Sequence, residues 1–295
     1  MENKYELEKN ITVNAYYYGN VLEMTDTNPI SKQSGIRPIS KDEYIDLATG
    51  MTMKFNHQNK QRIQSPENLR KTFRNLRRLI IANFNAGDIW LTLTYRQDDG
   101  RPITDTKRVY RDFKAFWRRF VARYGHCDYL IVLEPQASGS WHLHGLIKKQ
   151  KGKLPFIDNN LVVEPMWGQG FTMTKRLKDT DNVASYLMAY LTDIPKDEII
   201  PGTSKKGNIK GARLHYYPSG VHIYRGSRGL RRPVKKKGVK SDILFDYGLS
   251  RDAKADAAFY HEHKIKNGKK ISHITEFYDN VNNKKETNQA RQDHD

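Results

Sequence analysis

The sequence holds a single cysteine, Cys127, in 295 residues. An internal disulfide is therefore impossible, and so is a zinc site built from a cysteine cluster. Cys127 itself reads as a small filler beside a strand. No apolar run reaches the roughly 18 residues of a membrane-spanning helix, and no basic amphipathic helix sits at a terminus to lie on a membrane. Met1 to Glu6 is charged with no apolar core behind it, unlike a secretory signal. A cytoplasmic protein with no membrane partner is expected. Nucleotide fingerprints are missing too: Gly202-Thr203-Ser204-Lys205-Lys206-Gly207, in the Gly/Lys loop from Pro201 to Gly211, lacks the Gly-Lys-Ser/Thr ending of a phosphate-binding loop. No internal repeat is visible. Acids are scarce, 33 Asp and Glu against 51 Lys and Arg, which leaves a formal net charge of +18. So large an excess favours a polyanion through counterion release, and nucleic acid is the expected partner.

What is present divides into three expected segments. Residues 1–64 read as an N-terminal extension, mildly acidic over its first 50 residues. Ile11 to Met24 has β character, with Val13, Ala15 and Tyr17 alternating; Tyr16-Tyr17-Tyr18 is either a stacking surface or ordinary strand. Ser40-Lys41-Asp42-Glu43 has the capping-box pattern of a short helix that Gly50 could close, and residues 54–64 look like a polar linker. Residues 65–240 carry the principal domain with a basic C-terminal segment. Residues 241–295 read as a partly disordered tail. Within it His261-Glu262-His263 sits in a polar, helical-looking context, where neighbours two apart diverge, so it receives no metal role.

The principal domain begins with a helix. Ser65 can cap it, Pro66 suits its first turn, and Leu69, Phe73, Leu76, Ile80 and Phe84 form one buried stripe. Arg70, Lys71, Arg74, Arg77 and Arg78 fall on other faces, either solvated or against phosphate. A strand comes next, with Ile89, Leu91, Leu93 and Tyr95 facing one way and Trp90, Thr92 and Thr94 the other. A second helix, 105–124, buries Val109, Phe113, Phe116 and Phe120 beneath a basic remainder and ends at Gly125.

Tyr129 to Glu134 is then apolar strand until a carboxylate closes it. Ser138-Gly139-Ser140 is a turn signal, and Trp141-His142-Leu143-His144-Gly145 comes directly after it. Side chains alternate along a strand, so His142 and His144 share a face. The pair is either two hydrogen-bonded core histidines or two ligands of one divalent ion. If the strands pair as a hairpin, Glu134 joins them; a carboxylate beside two imidazoles is a donor set for a hard or borderline divalent ion. Its alternative is a salt bridge at a strand end. Phe171 to Thr174 reads as a short strand. Val183, Leu187 and Leu191 mark a helix in which Tyr186 and Tyr190, four apart, share another face. Leu214–Tyr217 and Val221–Tyr224 look like a hairpin. The densest basic run spans Arg225 to Lys240 with no acid: Arg225, Arg228, Arg231, Arg232, Lys235, Lys236, Lys237 and Lys240. It is either a disordered segment or a nucleic-acid contact; Arg225, Arg228, Arg231, Arg232, Lys235, Lys236 and Lys237 are the candidate DNA-binding residues.

Three of these motifs, in this order, resemble the HUH endonucleases, specifically the replication initiators of rolling-circle plasmids and small phages. The resemblance covers roughly residues 65 to 235. Leu91-Thr92-Leu93-Thr94-Tyr95 is similar to the family's first motif, His142-Leu143-His144-Gly145 to its metal-binding histidine pair, and Tyr186-Leu187-Met188-Ala189-Tyr190 to its nucleophile helix. Histidines before tyrosine is the order of initiators rather than conjugative relaxases. The resemblance implies an α+β fold of the HUH type, related to the RRM and ferredoxin folds: a central antiparallel sheet with the helices 65–86 and 105–124 packed on one face and His142, His144 and Glu134 on the other. It implies Mg²⁺ or Mn²⁺ held by those three residues. Tyr186 would be the nucleophile that nicks single-stranded or hairpin origin DNA, leaving a 5′-phosphotyrosine and a free 3′-OH. Tyr190 would be either a second nucleophile or a core residue. A separate helicase would unwind the duplex. One departure stands out. The lysine often found three residues after the nucleophile is replaced by Ala189 after Tyr186 and Asp193 after Tyr190, so phosphate orientation would fall to Lys175, Arg176 or Lys178. A mobilisation relaxase or transposase of the same chemistry is the first alternative. A nucleic-acid-binding protein without chemistry, its tyrosines stacking bases, is the second.

Overall fold

The computed structural model describes residues 5–26, 36–40, 42–55, 66–97, 100–136, 138–178, 217–218, 220–264, 270–279 and 281. The chain is α+β and its sheets are antiparallel. It forms two compact units, one of residues 58–231 and one that joins residues 1–57 to 232–295.

The 58–231 unit contains helices α1 (Pro66–Asn83) and α2 (Thr106–Tyr124) and strands β6 (Ile89–Leu93), β7 (Cys127–Pro135), β8 (Trp141–Lys149), β9 (Thr172–Arg176) and β10 (Tyr224–Gly226). The strands lie in the order β10-β7-β8-β6-β9. Phe73, Leu76, Ile80 and Phe84 are buried as the stripe requires; the side chain of Leu69 lies outside the described set, as does Ser65. Arg78 is buried rather than solvated. Helix α2 buries Val109, Phe113, Phe116 and Phe120, is capped by Asp105, whose side chain accepts from Lys107 N, and stops at Gly125.

Strand parity fixes the two faces of this sheet. Tyr129 pairs across to Ile147 and thence to Ile89. On that face α2 packs, through Phe113 and Trp117 against the Tyr129 ring and through Asp112, which accepts from the Tyr95 hydroxyl (3.1 Å). Gly145 belongs to the same face, where a Cβ would press on Ile131 at 3.3 Å and Leu91 at 3.5 Å. The other face carries Glu134, His142, His144 and Thr92. Both helices were expected on the α2 face, and the end of α1 is not confined to it. Asn83 Oδ1 accepts from Lys148 Nζ (3.3 Å), and Lys148 has the parity of the histidines. The residues at that end of the histidine face, Leu130, Leu146 and Trp90, are buried, so this face is apolar at one end and polar at the other.

Where Leu214–Tyr217 was expected to pair with Val221–Tyr224, residues 214–216 lie outside the described set, and Tyr224–Gly226 instead pairs with β7. A π-helical turn (Asn159–Val163) runs into the short helix α3 (Glu164–Trp167) and leads to β9. The expected helix of Tyr186 and Tyr190 and the Gly/Lys loop after it also lie outside the described residues.

The second unit corrects three expectations. The segment after residue 240 supplies helix α4 (Lys240–Asp246) and strands β12 (Ala257–Lys264) and β13 (Lys270–Tyr278). They join β1 (Thr12–Tyr18), β2 (Val21–Asp26) and β11 (Val234–Val239) in the order β11-β1-β2-β13-β12, so the extension and the tail are halves of one body. Buried inside it, Glu276 accepts from Leu7 N (2.7 Å), Lys240 Nζ (3.0 Å) and the Tyr278 hydroxyl (2.9 Å). His261-Glu262-His263 is strand, not helix; the side chains of both histidines lie outside the described set. Ser40 does accept from Asp42 N and Glu43 N (3.1 Å each), but the chain here forms a small sheet of β3 (Ile36–Pro38), β4 (Glu43–Asp46) and β5 (Thr52–Lys54) instead of a helix. A serine turn satisfies the same two amides before a strand as before a helix.

Candidate metal centre and basic surfaces

The β7–β8 hairpin makes the site. Its turn closes with Gly139 N donating to Gln136 O (2.9 Å) and Gln136 N to Ser140 O (2.7 Å), and Gly139 takes φ +83°, which suits glycine. The register then sets Glu134 opposite His142 and Val132 opposite His144. Trp141, buried beside the turn, donates from Nε1 to Thr104 O (2.9 Å) and so fixes where β8 begins.

Glu134 Oε2 lies 2.8 Å from His144 Nε2 and 3.1 Å from His142 Nε2. One ligating atom from each of the three residues falls within 4.8 Å of the others. Glu134 and His144 are buried and His142 is half-buried. Burial alone would raise the Glu134 carboxyl; the polar contacts and charge of the two histidines outweigh it and hold the pKa at about 2. The group therefore presents a carboxylate at neutral pH. His142 Nε2 is buried and finds no well-aligned hydrogen-bond partner despite its closeness to that carboxylate. Two imidazole nitrogens and a carboxylate oxygen converging in this way could bind a divalent metal ion.

The surroundings orient the ligands. Thr92 Oγ1 lies 3.2 Å from His144 Nδ1 and accepts from Trp90 Nε1 (3.0 Å). Gln136 Nε2 lies 3.4 Å from His142 Nδ1. Sequence reading identified the three ligand candidates and missed these supports, although the alternation of Trp90, Thr92 and Thr94 already placed Thr92 on the face that meets the histidines.

Among the residues considered for phosphate orientation, Lys175 pairs across to Trp90 and is exposed on the histidine face. Arg176 points the other way and is committed to carbonyls, donating to Gly87 O (2.7 Å) and Leu154 O (2.8 Å). Lys178 lies just beyond the strand and is exposed. Tyr186 and Tyr190 lie outside the described residues.

The basic run is ordered and dispersed. Arg225, Arg228, Arg231, Arg232, Lys235, Lys236 and Lys237 are all exposed. Arg225 pairs across to Ile131, on the α2 face, and its guanidinium stacks on the Tyr110 ring at 3.4 Å from the centroid. Arg231 donates its backbone N–H to Asn83 Oδ1 (2.8 Å). Arg232 and the lysines belong to the other unit. There Lys236 pairs with Asp246, while Lys235 and Lys237 alternate onto the opposite face and Lys235 lies 5.8 Å from the Tyr16 ring. Lys240 is buried against Glu276. These residues do not gather at the Glu134 group; lysines on an edge strand such as β11 also discourage unwanted strand pairing.

Residues 88–195 match the family model of replication-associated proteins of the ORF2 group. No curated protein and no solved structure matches the chain. The matched stretch contains Glu134, His142 and His144 as well as Tyr186 and Tyr190, and it supports a replication-associated protein in the role of initiator. Among the described residues no helix is long and apolar enough to cross a membrane.

Proposed function

We propose that this chain is an HUH-type endonuclease that initiates replication by nicking single-stranded origin DNA and holding the cut end on a tyrosine. The observation that carries this reading is the convergence of Glu134, His142 and His144 at the polar end of one sheet face, inside the stretch that matches replication-associated proteins.

The three side chains would hold Mg²⁺ or Mn²⁺. Such an ion supplies Lewis-acid polarisation of a phosphoryl oxygen. Thr92 and Gln136 keep the imidazoles turned toward Glu134, so the donor set is assembled in advance. Lys175, on the same face, is the cation available to steady a phosphate where the family's usual lysine is replaced. Tyr186 is the proposed nucleophile. Its phenolate oxygen forms a bond to phosphorus as the P–O3′ bond breaks; the departing 3′ oxygen takes a proton and becomes a free hydroxyl for the polymerase. The phosphodiester energy is kept in the 5′-phosphotyrosine, so religation needs no ATP. Tyr190, one turn on, is placed to accept a second strand. The excess of positive charge would bring DNA to the site, and a separate helicase would open the duplex.

The test is incubation of the full chain with single-stranded origin DNA and Mn²⁺, with and without EDTA. A covalent protein–DNA adduct that needs the metal and is lost in Tyr186→Phe and His144→Ala is the expected result. Binding without any adduct would make the chain a DNA-binding protein without chemistry.

A further inference from the structure

The edge strand β9 exposes a line of side chains that the cleavage chemistry does not use. Met173 pairs across to Thr92, and Thr92 to His144. Residues directly opposite one another in a sheet share a face, so Met173 belongs to the histidine face, and so do Phe171 and Lys175, two residues either side. Phe171 is 65% exposed and Met173 43%. Thr172 between them is buried and tied to Asn159, through Thr172 Oγ1 to Asn159 Oδ1 (3.0 Å) and Asn159 Nδ2 to Thr172 O (2.9 Å). Phe171 is fixed as well. Its carbonyl accepts from Thr94 N and Thr94 Oγ1 (2.9 Å each). Before it, Gly170 runs so close to β6 that a Cβ would collide with the backbone of Thr94, Tyr95 and Arg96.

We infer that Phe171 and Met173 are a stacking platform for the bases of single-stranded DNA and that Lys175 contacts its phosphate; the inference rests on the nicking function proposed above. Phe171 lies in the row of Thr94, His142 and Glu134, two strands from the histidine, about 10 Å away by the usual strand spacing. An unstacked base lying on it would leave its own backbone within reach of the Glu134 group. An exposed phenylalanine and methionine on a free sheet edge are an aggregation hazard, whereas bases offer them apolar π-faces and Lys175 complements the phosphates between. A base in duplex has both faces covered by its neighbours and offers none to the strand. The platform therefore accounts for a single-stranded substrate, which the Glu134 group alone does not.

The experiment is fluorescence anisotropy of the full chain with three probes of one length: a single-stranded oligonucleotide, the same strand with abasic sites at its centre, and the duplex. Phe171→Ala/Met173→Ala should weaken single-strand binding roughly 10-fold, leave duplex and abasic binding unchanged, and leave the salt slope unaltered because no phosphate contact is removed. Phe171→Trp should restore binding. The substituted side chains are exposed, and a thermal melt equal to wild type checks the fold. Equal losses on the intact and abasic strands would overturn the platform. So would a double variant that binds the intact strand like wild type, including the case in which it instead disperses a wild-type dimer, which would make β9 a subunit edge. A wild-type chain that binds no single-stranded DNA would overturn the platform and the nicking reading together.

Discussion

Thr92 Oγ1 sits 3.2 Å from His144 Nδ1 and accepts the indole N–H of Trp90 at 3.0 Å. A hydroxyl can donate or accept, so Thr92 can serve either tautomer of His144. When His144 Nε2 gives its lone pair to a metal ion, Nδ1 carries the proton and donates it to Thr92. Groups in this position usually change metal affinity 10-fold to 100-fold when removed. Thr92→Val keeps the shape and deletes the hydroxyl; calorimetry should show Mn²⁺ binding weakened by about that factor. Thr92→Ser, which keeps the oxygen, should bind nearly as wild type. Equal affinity in wild type and Thr92→Val would mean the hydroxyl positions nothing.

The ligands themselves should separate metal binding from DNA binding. His142→Ala and His144→Ala should each abolish measurable Mn²⁺ uptake and nicking. Their affinity for single-stranded DNA should stay within about 2-fold, because backbone contacts supply most of it and lie elsewhere. Nicking at the wild-type rate by either variant would remove the Glu134 group from the mechanism.

The carboxylate also predicts an acid limit. Burial opposes ionisation of Glu134, but its histidine partners hold it at about 2, below the ordinary glutamate value of 4.5. A carboxyl whose pKa is lower folded than unfolded contributes stability above the unfolded value and loses it as pH falls through the folded value. In metal-free buffer, urea melts of wild type should exceed those of Glu134→Gln above pH 4.5 and converge with them as the pH approaches 2. A gap that widens on acidification would reverse the assigned sign.

The lysines of β11 divide by parity. Lys235 and Lys237 are exposed on one face and Lys236 is paired with Asp246 on the other. If the strand meets DNA through its free face, Lys235→Gln/Lys237→Gln should reduce the salt slope of single-strand binding by roughly 0.7 per lysine. Lys236→Gln should change it less. No change in the slope for the double variant would make these lysines protection of a sheet edge.

Much of the centre was legible because its geometry is local. His142 and His144 are two apart in a strand, and one turn decides that Glu134 lies opposite. The stripe of α2 was equally plain, since Val109, Phe113, Phe116 and Phe120 keep the helical period without interruption. What escaped was pairing at a distance. Val13 finds Gly238, and Thr25 finds Thr275, across more than two hundred residues that leave no local mark. The segment holding His261 and His263 is too polar to advertise a strand. Ser40 offers the same cap to either kind of element, and only the pairing of β4 with its neighbours settles which. Thr92 was visible as a strand residue, but its service to His144 depends on three strands meeting.

The nucleophile is the last prediction. Tyr186 and Tyr190 are one helical turn apart in the expected helix, about 6 Å along its axis, so both could approach one phosphate but not at equal distance. The resemblance favours Tyr186, which comes after Val183-Ala184-Ser185 as in one-tyrosine plasmid initiators. Tyr186→Phe removes only a hydroxyl, so the fold should survive while the covalent adduct disappears. Tyr190→Phe should still form the first adduct and, if Tyr190 is the second nucleophile, fail to pass the strand on. Peptide mass mapping of the trapped adduct reads the answer directly. A nucleotide on Tyr186 supports this order, one on Tyr190 alone reverses it, and one on neither, with DNA still bound, removes tyrosine chemistry from the protein.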